Sequence, residues 1–297
     1  MGKVVTFITL FIAPFIALFI APFTALFIAL MSTILMATSV FSQVTPSVGM
    51  TQGARYVALG SSFAAGPGIA TQLGSCGRSD HNYSHLVADE LGLSLIDVTC
   101  NGATIANILD TYQGDAAPQI DAVNSDTELV TVTIGGNDIR YTSSTFTCAG
   151  KTLNEHCTDN LDQAMINKAV YQLPTRLGAM LDAIKTKAPQ AIIVVVTYPR
   201  VFPSDATNCP ELDLSVDDTT YLAALGQKLQ DAFVSATSSR QSLIADAYIR
   251  GDNHGPCATT ERWVNGANVA KTGIPFHPSA KGHIEMGRLV LAALKSH

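Results

Sequence analysis

The sequence predicts an α/β fold, a parallel sheet covered by helices on both faces, in one continuous domain over residues 55–297. Short apolar runs alternate with segments of helical periodicity from Arg55 to the C-terminus. One of these runs, Ala191–Thr197 (AIIVVVT), is nearly all β-branched, as suits a strand buried on both faces of a parallel sheet. No Gly/Pro/Ser-rich linker interrupts the alternation to mark off a second domain.

Taken in order, Arg55–Gly60 (RYVALG) reads as a buried strand running into a loop of small residues. Tyr83–Leu91 has helical spacing and stops at Gly92, a residue suited to a helix C-terminus. Leu93–Thr99 and Glu128–Ile134 read as strands, the second ending at Gly135-Gly136. Leu161–Ala188 is helical in pattern, with Pro174 expected to break or kink it. Asp217–Ser235 is a helix, Leu243–Ile249 a strand and Ser279–Leu294 a final helix. In such sheets the chemistry sits at the carboxyl ends of the strands. Gly60-Ser61-Ser62, Asn101-Gly102 and Gly135-Gly136-Asn137-Asp138 fall there, with Pro275-Phe276-His277-Pro278 before the last helix.

Composition places this domain outside the cytoplasm. Of the 297 residues 47% are apolar and 14% charged, but from Val4 to Ala54 there is no charged residue at all. Residues 1–42 read as an export segment, either a cleaved signal peptide or a membrane anchor, and residues 43–54 as a short linker. The apolar run exceeds the ~7–15 residues of an ordinary signal core and suffices to cross a bilayer, which takes ~20 residues. It also repeats in fours, from Phe11-Ile-Ala-Pro onward, with Pro14 and Pro22 interrupting any helix. A net charge of −6 without a basic run argues against nucleic acid or an anionic membrane surface as a partner. The membrane enters only through an uncleaved N-terminal segment. Six cysteines, none spaced CxxC, point in an oxidising compartment to three disulfides rather than metal ligands. Sequence order suggests that neighbours pair, but many other pairings are open.

A serine at a strand–loop junction and a histidine near the C-terminus are the two parts of an activated alkoxide nucleophile. The oxyanion that forms on attack needs preorganised donors, and the Ser62 and Gly102 backbone N–H groups and the Asn137 amide are candidates. The run Gly60-Ser61-Ser62-Phe63-Ala64-Ala65-Gly66, then Gly102, Gly135-Gly136-Asn137-Asp138 and His277, occurs in the order and spacing of the SGNH (GDSL-type) hydrolases. The chain most resembles that family's secreted, three-disulfide lipase/esterase branch. The resemblance implies a flavodoxin-like three-layer sandwich with a central parallel sheet. It further implies a Ser62 nucleophile, a His277 base, an oxyanion hole of Ser62, Gly102 and Asn137, and disulfides Cys76–Cys100, Cys148–Cys157 and Cys209–Cys257. It implies an acyl-ester hydrolase needing neither metal nor organic cofactor, with a small-molecule or lipid ester as substrate. We expect it to be monomeric and extracellular.

Two departures from the family pattern stand out. Ser61 occupies the position before the nucleophile where Asp is usual, and Ile274 stands where many members place Asp three residues before the histidine. The Ile274 backbone carbonyl is therefore expected to orient His277, giving a Ser–His dyad. Two alternatives keep the fold: a carbohydrate acetyl esterase, or a binding protein whose turnover Ser61 and the missing acid have abolished. His81 and His85 have the spacing of two metal ligands at a helix start, but no third ligand accompanies them. The α/β-hydrolase elbow GxSxG is disfavoured, because Ala64 replaces its last glycine and no strand precedes Arg55.

Overall fold

The computed structural model describes residues 49–150, 156–205, 207–269 and 272–297. The expected export segment, residues 1–42, and the first part of the expected linker lie outside them. The last part of that linker is packed onto the domain. Gly53 donates to the Gly92 carbonyl, Ala54 is buried and its carbonyl accepts from Ser94 N–H. Among the described residues no helix is long and apolar enough to cross a membrane.

Strand β1 (Arg55–Gly60) turns directly into a single-turn helix, α1 (Ser62–Ala65). A hairpin, β2 (Gln72–Leu73) with β3 (Arg78–Ser79), leads to α2 (Tyr83–Leu91). The Asn82 side chain caps α2 by accepting the N–H groups of Ser84 and His85. His81 therefore lies before the helix, not on it. Strand β4 (Ser94–Asp97), helix α3 (Ile105–Leu109) and strand β5 (Thr127–Thr133) follow. Next come α4 (Tyr141–Cys148), α5 (Gln163–Lys187), β6 (Ile192–Val196) and α6 (Val216–Thr237). Strand β7 (Ser242–Ala245), α7 (Ala247–Arg250) and α8 (Ala280–Lys295) complete the domain.

Helix α5 continues through Pro174 rather than breaking there, held by the buried Leu173, Leu177 and Leu181 on its core face. The expected strand Leu243–Ile249 is shorter than its apolar run suggests. It stops at Ala245, because the Asp246 side chain accepts the Ile249 N–H at 3.0 Å and starts α7 instead.

The five-stranded sheet has the order β4-β1-β5-β6-β7, with every pair parallel. The chain moves outward from β1 to β4, then crosses back to β5 on the other side of β1. That reversal is the switch point where α/β sheets open a crevice at the strand carboxyl ends. Alternate strand residues face opposite layers, as the pleat requires. Val57, Leu59, Val130, Val132, Ile193 and Val195 share one core with α3, α5 and α6. Tyr56, Ala58, Leu129, Val194, Val196 and Ala245 share the other with α2 and α8. The result is a three-layer α/β/α sandwich whose switch point lies between the carboxyl ends of β1 and β5.

Candidate active site

Ser62 opens α1 at the carboxyl end of β1, so its N–H belongs to the helix-start donors that have no intrahelical acceptor. Its Oγ lies 2.8 Å from Nε2 of His277, and both residues are almost fully buried. His277 Nδ1 lies 2.8 Å from the Pro275 carbonyl oxygen. A carbonyl only accepts, so the proton sits on Nδ1, Nε2 is the acceptor and the Ser62 hydroxyl donates to it. Burial pulls the imidazole pKa down to about 4, with the Pro275 carbonyl opposing in part. At neutral pH the ring is an uncharged base already hydrogen-bonded to the hydroxyl it would deprotonate. Phe63 packs on it at 4.6 Å between ring centroids and Phe146 at 6.3 Å.

The orienting carbonyl is not that of Ile274. The Ile274 oxygen instead accepts from Asn265 Nδ2 at 3.2 Å, and Pro275 takes the role. The cause is the backbone of Phe276, which adopts φ 56, a left-handed conformation rare for a bulky residue. That turn folds the Pro275 carbonyl back under the His277 ring. Phe146 and Phe202 hold the Phe276 side chain in place.

Gly102 and Asn137 arrive on the two neighbouring loops. The loop after β4 is fixed to β1 by the bond from Cys100 N–H to the Gly60 carbonyl. Gly102 has φ 84, and a Cβ there would meet nothing nearer than Gln113 Nε2 at 3.5 Å. The position demands the left-handed backbone more than it demands space. Asn137 follows β5, and its Nδ2 donates to the Ala103 carbonyl at 2.9 Å. One amide proton is thereby used and the second is uncommitted among the described residues. The Ser62 and Gly102 N–H groups likewise have no acceptor among them.

Ser61, where the family has Asp, is fully buried and pairs with Tyr198 OH at 3.0 Å. The same phenol oxygen accepts the Gly136 N–H at 3.2 Å, and either hydroxyl can donate in the Ser61 pair. Tyr198 thus joins the nucleophile loop to the loop carrying Asn137. A Cβ at residue 136 would lie 2.8 Å from the phenol oxygen, so only glycine lets Tyr198 approach so closely. Burial pushes the Tyr198 pKa up to about 12, which keeps the phenol neutral. No sequence signal pointed to Tyr198, which lies just beyond the β6 run.

The six cysteines form Cys76–Cys100, Cys148–Cys157 and Cys209–Cys257. The first closes the loop before Gly102; the last joins the loops that follow β6 and β7. Cys148, Cys157 and buried Asp218 cluster as metal ligands do, but the two sulfurs are bonded to each other. His81 pairs with Asp80 and His85 with Asn82, so the two do not share a site. Trp263 is buried and stacks on His254 at 4.7 Å.

The sequence matches the GDSL-like lipase/acylhydrolase family over residues 58–283. It is 31% identical over 267 residues to Lipase 2 of Streptomyces coelicolor, covering 85% of this chain and 88% of that one. Its fold is similar to the crystal structure of an extracellular lipase from Streptomyces rimosus. The TM-score is 0.67 at 26% identity, over 81% of this chain and 100% of that one. A phospholipase A1 from Streptomyces albidoflavus is similar at a TM-score of 0.67 and 25% identity, over 81% and 99% of the two chains.

Proposed function

Because the chain belongs to the GDSL-like lipase/acylhydrolase family, and so is a carboxylic-ester hydrolase, we propose that it works through an acyl-enzyme on Ser62 with His277 as base. The 2.8 Å contact between Ser62 Oγ and His277 Nε2 carries this reading. Nε2 takes the hydroxyl proton as Oγ attacks the ester carbonyl. The tetrahedral oxyanion is met by the Ser62 and Gly102 N–H groups and the second amide proton of Asn137. The intermediate collapses as imidazolium returns the proton to the departing alcohol. Water then repeats the sequence on the acyl-enzyme and regenerates Ser62. The Pro275 carbonyl fixes the tautomer and stabilises imidazolium by its dipole alone, so the machine is a dyad.

The proposed substrates are lipid and other apolar acyl esters. In support, relatives carry the names lipase and phospholipase A1, and Phe146 lies part-exposed beside His277. One chain supplies every proposed group, so a monomer suffices. Residues 1–42 would direct export, and three disulfides suit an extracellular destination. N-terminal sequencing of the exported protein separates a cleaved signal from a retained anchor.

The assignment is tested with a fluorophosphonate probe. Wild type is expected to label on Ser62 and to hydrolyse p-nitrophenyl esters, and Ser62→Ala to do neither. Labelling that persists in Ser62→Ala defeats it. Comparing p-nitrophenyl acetate, longer acyl esters, phospholipid and acetylated xylan sets the substrate class, and a preference for xylan would overturn the lipid reading.

A further inference from the structure

The chemistry above gives no part to Asp138, the one charged residue of the Gly135–Asp138 run. Its side chain is only 1% exposed, and its oxygens bond to Ile105 and Arg176 rather than to Ser62 or His277. They accept the Ile105 N–H at 3.1 and 3.3 Å, and Oδ1 takes an Arg176 guanidinium N–H at 2.8 Å. Ile105 begins α3 and closely follows Gly102, while Asp138 is bonded in sequence to Asn137. A single carboxylate therefore grips the Gly102 loop from the Asn137 loop. Arg176, on α5, holds that carboxylate from a third element. The Asn137-to-Ala103 bond runs alongside as a second tie. Burial pushes the Asp138 carboxyl up from its ordinary range, and the Arg176 charge and the Ile105 N–H pull against that.

We infer that Asp138 and Arg176 are positioning residues, a clamp that fixes the separation of the Gly102 N–H from the Asn137 amide. This rests on the assignment of those two groups as oxyanion donors. Such donors must stand about 2.7–3.1 Å from the developing anion, so a displacement of a few tenths of an ångström weakens them selectively in the transition state. Asn at 138 would keep an acceptor for Ile105 but would lose the charge that holds Arg176, and would turn an amide N–H₂ toward the guanidinium.

Steady-state kinetics on a soluble p-nitrophenyl ester test the clamp, read beside the affinity of a trifluoromethyl ketone, whose serine adduct carries a tetrahedral oxyanion. The variants are Asn137→Ala, Asp138→Asn, Arg176→Gln and Arg176→Lys. Arg176 is partly exposed, so its variants are expected to fold even if Asp138→Asn does not. Asp138→Asn and Arg176→Gln are expected to lower kcat about tenfold with KM within about twofold, and to weaken the ketone by the same factor. Arg176→Lys should recover most of the loss. Folded Asp138→Asn and Arg176→Gln proteins with wild-type kcat, or a lowered kcat with undiminished ketone affinity, would overturn the clamp. Asn137→Ala separates the two readings. If it keeps full turnover, the oxyanion assignment itself is gone. If it loses turnover and the Asp138 and Arg176 variants do not, only the clamp fails.

Discussion

A carbonyl behind His277, in place of a carboxylate, changes how the imidazole is tuned. A carboxylate would raise the pKa by charge, whereas here burial dominates and pulls it down to about 4. Protonated imidazole cannot accept the Ser62 proton, so activity is lost as pH falls through the pKa of the free enzyme. We therefore predict that kcat/KM on a soluble ester stays flat from neutral pH down to about 5, with its acid limb near 4. A limb at the ordinary histidine value of about 6.5 would show that solvent or a charge reaches the ring. The candidates Ser62, Gly102, Asn137 and His277 could be named from sequence because each lies in a short run whose chemistry is local, and of them the structure pairs Ser62 with His277. Tyr198 and Pro275 were not. Tyr198 reaches Ser61 from 137 residues away, and the choice of Pro275 over Ile274 depends on the sign of one backbone angle at Phe276.

The same division holds for the elements. Strands β1 and β6 could be read because residues buried on both faces leave a continuous apolar run, and β5 because its β-branched Val and Thr residues alternate up to Gly135-Gly136. The long helices α5, α6 and α8 could be read from their apolar stripes. Helices α1, α3 and α7 are too short to show a period, and they are the pieces that shape the strand ends. The β7–α7 boundary shows what the pattern hides. Leu243–Ile249 is apolar almost throughout, yet Asp246 divides it by satisfying several donors at once. Its side chain takes the Ile249 N–H at 3.0 Å, the Thr197 hydroxyl at 3.3 Å and the Gln230 amide at 3.2 Å. Asp246→Ala removes a helix cap worth ~1 kcal/mol and leaves partly buried donors unmatched, so we expect a loss of about 2–3 kcal/mol. Denaturant unfolding with the disulfides intact measures it. A loss below about 0.5 kcal/mol would mean that water replaces the carboxylate at no cost.

At the scale of the whole molecule, two buried histidines tie the C-terminal segment to the rest of the domain, His277 just before α8 and His283 on its first turn. His277 faces Ser62, and His283, fully buried, accepts the Tyr83 N–H on Nδ1 at 3.1 Å. Burial holds the His283 pKa near 3, with His277 adding to the depression. Both folded values lie below the unfolded value of about 6.5. The unfolded chain therefore binds more protons than the native one as pH falls below 6.5. The stability contributed by neutral burial is complete above that pH and drains away toward the folded values. Between pH 7 and 4.5 each histidine is expected to cost on the order of 2–3 kcal/mol. The carboxylates held below their ordinary range, Asp80, Asp182, Asp205 and Glu211, are solvent-accessible and stay ionised across that window. His283→Asn separates this effect from others, because Asn Oδ1 still accepts from Tyr83 and does not titrate. Guanidinium unfolding at pH 7 and pH 4.5 should show the variant losing about half as much stability as wild type over the interval. Equal losses would mean that His283 stays uncharged in the unfolded chain or finds a proton-tolerant setting in the folded one, and the interface between α8 and the start of α2 would then not be the acid-sensitive joint of this fold.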